Sequence, residues 1–148
     1  MPAGKAEGGD ELTGALPALP LPKAALVTGG AQRIGRALAL ALAEDGFSVA
    51  VHYHSSQDAA EHLCHLIRAR GGSAAALPAD LADEEEVAAL LPRAEREFGP
   101  IGCLINNAAV FVDDRLDSAT RESWDMHLAV NLRAPFVLIQ NFAARLPA

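Results

Sequence analysis

Thr28-Gly29-Gly30-Ala31-Gln32-Arg33-Ile34-Gly35 is the stretch on which the reading of this 148-residue chain turns. On its amino side, Ala24-Ala25-Leu26-Val27-Thr28 is a short apolar run that predicts a buried strand. On its carboxyl side a helical pattern starts near Arg33, carries Ile34, Leu38 and Leu42 at fourfold spacing, and ends at Gly46. The same alternation continues outward. Phe47 to Tyr53 predicts strand two, and Gln57 to Arg70 predicts helix two, with Leu63, Leu66 and Ile67 on one face and a stop at Gly71-Gly72. Ser73 to Ala79 predicts strand three. Helix three starts around Asp83-Glu84-Glu85-Glu86, where acids suit the positive end of the helix dipole, and runs through Val87, Leu90 and Leu91 to Phe98. Ile101 to Asn106 predicts strand four, and a long helical pattern from about Thr120 to Arg145 closes the chain, with Pro135 predicting a kink or a break. Because crossovers between parallel strands are right-handed, this β-α-β-α-β-α-β-α order predicts a doubly wound parallel α/β sheet of strand order 3-2-1-4. Such a sheet is incomplete, with later strands absent and its edge open on the side of strand four. Ligands bind these sheets at the carboxyl ends of the strands where the order reverses, here beside strands one and four.

Composition bounds the rest. With 51% hydrophobic and 21% charged residues the chain is typical of a globular domain, and no apolar run approaches the ~20 residues of a membrane helix. A net charge of −7 argues against a nucleic-acid partner, which would need clustered Lys and Arg. Two cysteines, Cys64 and Cys103, form no disulfide framework and suit a reducing, cytoplasmic location. Residues 1–22 read as a flexible N-terminal tail and 23–148 as the folded domain; Pro17 and Pro20 interrupt the segment that a secretory signal would keep apolar.

The glycine turn gains meaning from its place between strand one and helix one. Gly29 permits a tight turn and close approach of a phosphate, the helix start offers free N–H groups, and Gly35 lets the helix pack on the sheet. A dinucleotide pyrophosphate fits there; the alternative is a strand-to-helix turn without a ligand. Sites for the unphosphorylated dinucleotide commonly carry Asp or Glu at the end of strand two, to hold the ribose 2′-hydroxyl. This sequence has His54, Ser55 and Ser56 instead, with Arg33 at the neighbouring helix start, and these can donate to a 2′-phosphate without repelling it. The expected cofactor is therefore NADP(H), against the simpler view of Arg33 as a surface arginine.

These motifs resemble those of the short-chain dehydrogenase/reductase family, whose pattern after the first strand is Thr-Gly-x-x-x-Gly-x-Gly. Arg33 stands in place of the middle glycine. With His52-Tyr53-His54-Ser55-Ser56 and Asn106-Asn107-Ala108-Ala109-Val110-Phe111, the chain looks most like the pteridine-reductase-like branch, from Lys23 to Leu146. The resemblance implies a Rossmann-type fold, with cofactor contacts from Gly29, Gly30, Arg33, Ile34 and Gly35. It implies that Asp80 and Leu81 hold the adenine, although Asp80 can also be read as a cap or turn residue. It implies that the backbone of Asn107, Ala108 and Ala109 passes against the cofactor; Ala109 stands where the branch often has a serine. Phe111 matches an aromatic on which that branch stacks its flat substrate, or else packs its own loop.

The implied activity is hydride transfer between a nicotinamide and a carbonyl or pterin-like substrate, with a Tyr phenol moving the proton and a Lys four residues on lowering its pKa. Asn131 matches the Asn of that catalytic set, or is a polar helix residue. The only tyrosine is Tyr53 and the only lysines are Lys5 and Lys23, so the sequence holds no Tyr-x-x-x-Lys and resembles the N-terminal portion of a longer reductase. An alternative is a non-catalytic dinucleotide-binding or interaction module, and a third reading is a remnant without function. No metal site is expected: His62, Cys64 and His65 lie close in sequence, but only the two histidines share a helical face. His52 and His54 share a strand face, and of the two only His54 is expected at the cofactor. Cys103 reads as a packed thiol. Leu128, Leu132 and Val137 resemble the family's subunit-packing helix, which makes a homo-oligomer the expectation for a complete version.

Overall fold

The computed structural model describes residues 21–146, so the expected N-terminal tail lies outside the described residues except for Leu21 and Pro22. Four strands, β1 (Ala24–Val27), β2 (Ser48–Tyr53), β3 (Ala74–Pro78) and β4 (Cys103–Ile105), form one sheet in the order β3-β2-β1-β4. Every neighbouring pair is parallel, with Ala25 opposite Val49 on one side and Cys103 on the other. This is the expected Rossmann-type arrangement. Strand four is shorter than the predicted 101–106, because the Asn107 N–H goes to the Thr28 hydroxyl, 3.0 Å away, and the chain leaves the ladder there.

The alternation of side chains across the strands divides the core into two layers. Leu26 and Ala50 face one side, with Leu77, Leu90, Leu91 and Leu138; Val27, Val49 and Val51 face the other, with Leu63 and Ile67. Helices α1 (Arg33–Glu44) and α2 (Gln57–Ala69) cover the second face, and α3 (Glu84–Phe98) and the last helix cover the first. Cover on both faces explains why the strands read as nearly unbroken apolar runs. Truncating a fully buried leucine such as Leu26 or Leu138 to alanine costs about 2–5 kcal/mol at such sites.

Helix α1 does not bury the face that its sequence predicts. Its buried residues are Gly35 and Ala39, while Leu38 and Leu42 are half-buried and Ile34 is 71% exposed. The stripe of small residues lets the helix axis approach the sheet closely, and the large side chains flank that contact. In α2 the buried set is Ala60, Leu63, Cys64 and Ile67, with Leu66 half-buried. Helix α3 starts as its acids predict. The Asp83 carboxylate accepts from the Glu85 and Glu86 N–H groups at 2.8 and 3.1 Å.

The closing helical stretch is continuous rather than broken at Pro135. Helix α4 (Arg121–Leu128) passes into a π-helical segment, Ala129–Arg133, and then into α5 (Ala134–Ala143), with right-handed dihedrals at the junctions. The Ala134 N–H bonds to the Ala129 carbonyl, five residues back. The wider turn precedes Pro135, which sits in the first turn of α5.

Candidate functional site

The hub of the site is a set of hydrogen bonds that ties the glycine turn to the end of β4. Thr28 sits buried at the end of β1, and its Oγ1 accepts from the Asn107 and Ala108 N–H groups at 3.0 and 3.1 Å. The Asn107 side-chain amide donates to the Thr28 and Gly29 carbonyls at 2.9 and 3.1 Å. Two loops distant in sequence are thereby held as one wall. Glycine is required at two points of it. Gly29 has φ +60, and a Cβ there would sit 3.0 Å from the Ala108 Cα. A Cβ on Gly35 would strike the Gly29 carbonyl and lie 2.6 Å from the Asn107 amide nitrogen.

A cleft of about 570 Å³ opens above this wall, at the carboxyl ends of the strands. Of the residues singled out in the sequence, Gly29, Arg33, Ile34, Gly35, His54, Asp80, Leu81, Asn107, Ala108 and Ala109 line it. Gly30 does not: its N–H donates to the His52 carbonyl at 2.9 Å, and it packs beside Val51. Ser55 is exposed and Ser56 half-buried, next to His54 but outside the lining; Ser56 heads α2 without a side-chain capping bond. Phe111 is 85% exposed and is not among the lining residues, although its neighbour Val110 is. Asn131, in the π-helical segment, pairs with the backbone of Val110, accepting its N–H and donating to its carbonyl, each at 2.8 Å. It thus grips the segment that lines the cleft without lining it.

The start of α1 faces the cleft with the features of an anion site. Gln32 is the N-cap and makes no side-chain cap bond, and no acid lies in the first turn, so the opening N–H groups of the helix keep neither partner nor competitor. Arg33 is the sole non-glycine residue with positive φ among the described residues, at +48, the backbone conformation for which a glycine would ordinarily be used. Across the cleft, Asp80 accepts the Ala82 N–H at 2.8 Å with Oδ1, and its own N–H donates to Glu86 at 2.6 Å. The turn role and the cleft position of Asp80 therefore coexist.

Sequence reasoning missed Gln32, His52, Ala82, Val110, Met126 and Val130, all of which line the cleft. His52 is a correction, since His54 alone was expected there. His52 is 2% exposed, and its Nδ1 accepts the Gly29 N–H at 3.0 Å while its Nε2 lies 3.0 Å from the Ala79 carbonyl. Burial pushes its pKa below the ordinary imidazole value; the Ala79 carbonyl opposes this, and the charges of His54 and Arg93 add to it. Met126 and Val130 form an apolar side of the cleft. Their helical spacing of four was legible, but nothing local indicated where that face would land.

His62 and His65 are exposed, and no three His, Cys, Asp or Glu side chains converge on a metal position among the described residues. Burial raises the pKa of both Cys64 and Cys103. Among the described residues no helix is long and apolar enough to cross a membrane.

The sequence profile of short chain dehydrogenases matches residues 23–147. The chain is 40% identical over 118 residues to 3-oxoacyl-(acyl-carrier-protein) reductase FabG of Staphylococcus aureus, an alignment covering 80% of this chain and 48% of that protein. It superposes on FolM alternative dihydrofolate reductase 1 from Brucella canis, solved in complex with NADP, with TM-score 0.80 and 40% identity, over 84% of this chain and 49% of that one. A short chain dehydrogenase from Burkholderia cenocepacia, also in complex with NADP, gives TM-score 0.82 at 40% identity, over 85% and 51% of the two chains. The chain thus spans about half the length of the relatives it matches. Sheet order, glycine turn and family profile agree, and the chain belongs to the short chain dehydrogenase family.

Proposed function

We propose that this chain is the dinucleotide-binding part of an NADP(H)-dependent oxidoreductase that transfers hydride to a carbonyl or pterin-like substrate. The observation that carries the reading is the cleft at the start of α1, with free backbone donors, Arg33 and His54 on its lining, and no carboxylate at the end of β2. A dinucleotide fits these residues. The Gly29 and Gly35 positions admit no Cβ, which lets the turn, the helix start and the Asn107 segment pack closely into one wall, and the helix start would offer its N–H groups to the negative charge of a pyrophosphate. Arg33 with His54, Ser55 and Ser56 would hold the 2′-phosphate by charge-assisted bonds. Asp80 and Leu81 would hold the adenine, and Gly30 would keep the turn seated on the sheet. The Asn107-Ala108-Ala109 backbone would lie along the cofactor, held there by Asn131 through Val110.

When bound, the nicotinamide supplies or takes the hydride. The proton of the reaction would come from the Tyr-x-x-x-Lys pair that the family resemblance implies, which these 148 residues do not contain. Phe111, exposed beside the cleft wall, is the proposed stacking surface for a flat substrate. The pterin-like option draws support from the 40% identity to FolM alternative dihydrofolate reductase 1. Trp124, Leu128, Leu132, Phe136 and Ile139 stay exposed along α4 and α5, which supports the homo-oligomer reading for the complete protein, whereas Val137 turns toward the core.

Titration of the purified chain with NADPH and NADH, followed by calorimetry, tests the reading. NADPH is expected to bind more tightly than NADH, with no oxidation of NADPH on adding a pterin or a simple carbonyl. Absence of binding by either nucleotide overturns the proposal. Turnover at an enzyme-like rate would mean that the proton donor lies within these residues.

A further inference from the structure

We propose that His52 is a positioning residue for the dinucleotide turn, its imidazole holding the Gly29 N–H on one side and the Ala79 carbonyl on the other. The inference rests on the dinucleotide reading of the cleft. It starts from a question of donors and acceptors. A backbone N–H can only donate, so the 3.0 Å contact between the Gly29 nitrogen and Nδ1 makes Nδ1 an acceptor. A carbonyl can only accept, so the 3.0 Å contact between Nε2 and the Ala79 oxygen makes Nε2 the donor. The ring is thereby fixed as the neutral Nε2–H tautomer, and an imidazolium would set a second donor against the Gly29 N–H.

Both ends of the ring matter to the cleft. Gly29 opens the turn, and Ala79 immediately precedes Asp80 on the opposite wall. The backbone of the same residue takes the Gly30 N–H at 2.9 Å, so His52 engages the first two glycine N–H groups together. These groups turn toward β2, which leaves the opening N–H groups of α1 as the ones facing a ligand. His52 and Thr28 are the buried polar residues of the described chain; His52 holds the turn from the β2 side, and the Asn107 amide, anchored on Thr28, holds it from the other.

Two conservative variants separate the two halves of the bridge. Asn places Oδ1 where Nδ1 stood and keeps an acceptor for Gly29, whereas Gln reaches toward Ala79 with its amide and leaves Gly29 unpaired. With the full chain, H52N is expected to keep NADPH affinity within about threefold of the parent, and H52Q to weaken it by about tenfold or more. Both are expected to lose thermal stability. In the nucleotide-free chain, nitrogen NMR is expected to show an Nε2-protonated ring with scalar coupling from the Gly29 amide to Nδ1. As pH falls, loss of that coupling is expected to coincide with a fall in NADPH affinity. His54 and Arg93, whose charges act on the ring, and Asp80 across the cleft are the neighbouring groups that the H52N profile controls for.

An Nδ1-protonated ring, or H52Q binding NADPH as tightly as the parent, overturns the inference while leaving the dinucleotide reading intact. Equal weakening in H52N and H52Q, in step with their loss of stability, reduces His52 to a structural residue and also overturns it. A parent chain that shows the coupling yet takes up no NADPH overturns the dinucleotide reading, and the inference with it.

Discussion

Replacing Arg33 with glycine should make the chain more stable and a poorer binder of NADPH at the same time. Arg33 has φ +48, and the left-handed conformation costs an L-residue roughly 1–2 kcal/mol. Glycine removes that cost but gives the unfolded chain more freedom, which takes back about 0.4–1 kcal/mol. The net gain is therefore about 0–1.6 kcal/mol, read as a rise in Tm of up to about 6 °C for a domain of this size. Affinity moves the other way. One charge-assisted bond from guanidinium to phosphate is worth about 1.5–3 kcal/mol, so NADPH affinity should drop by about 10- to 150-fold, while NADH, which has no 2′-phosphate, should lose little. Thermal melts and calorimetric titrations of R33G and R33A check both arms, since alanine removes the guanidinium but keeps the strained φ. A fall in Tm for R33G relative to R33A would refute the strain argument. Parallel loss of NADPH and NADH affinity would refute the assignment of Arg33 to the 2′-phosphate.

Other outcomes follow from the same wall of the cleft. Gly35→Ala forces a methyl group against the Gly29 carbonyl and the Asn107 amide, and should cost about 3 kcal/mol or more by urea denaturation. Thr28→Val leaves the Asn107 and Ala108 N–H groups without their acceptor and should cost about 2–4 kcal/mol, whereas Thr28→Ser should recover most of it. Stability should also depend on pH through His52, whose pKa is lowered from its ordinary 6.5 in the folded state. The unfolded chain then binds the proton first, so the His52 contribution is complete above about pH 6.5 and is lost as pH falls toward the lowered value, by at most about 1.4 kcal/mol per pH unit. Urea midpoints of the parent and H52Q between pH 8 and pH 5 should converge on the acid side, and a constant gap would count against the linkage.

Strand order, parallel pairing and the place of the glycine turn were legible in the sequence because each depends on local pattern plus the handedness of crossovers. The cleft itself was half legible. Gly29, Asn107 and Asp80 announce themselves at strand ends and Gly35 at a helix start, where residue type and position suffice. His52 does not, since a histidine within an apolar strand looks like a tolerated core residue until the register of β2 against β1 brings its ring to Gly29. The buried face of α1 was legible at Gly35, read as the helix–sheet contact, but not along the rest of the helix, for a related reason. Apolar periodicity weights Ile34 and Leu38 heavily and Gly35 and Ala39 hardly at all, yet a helix that must lie close to a sheet buries its smallest side chains. Pro135 predicted a kink or a break because local sequence shows only the missing N–H. The π-helical turn that absorbs it is held by tertiary contacts, including the pairing of Asn131 with Val110.

On this reading the end of β2 carries two separable tasks, divided between His52 within the strand and His54 just beyond it on the same face. His52 is turned inward and acts on the turn that any dinucleotide would need, so its loss should weaken NADPH and NADH by a common factor. His54 stands at the exposed end and lines the same cleft as Arg33, where on the proposed reading charge would decide between the two nucleotides, so a change there should alter their ratio. Because Arg33 and His52 share no hydrogen bond, their effects on NADPH binding should add to within about 0.5 kcal/mol in a double-mutant cycle. Strong coupling between them would mean that the guanidinium helps to hold the turn, and that general affinity and phosphate preference are one property of this cleft rather than two.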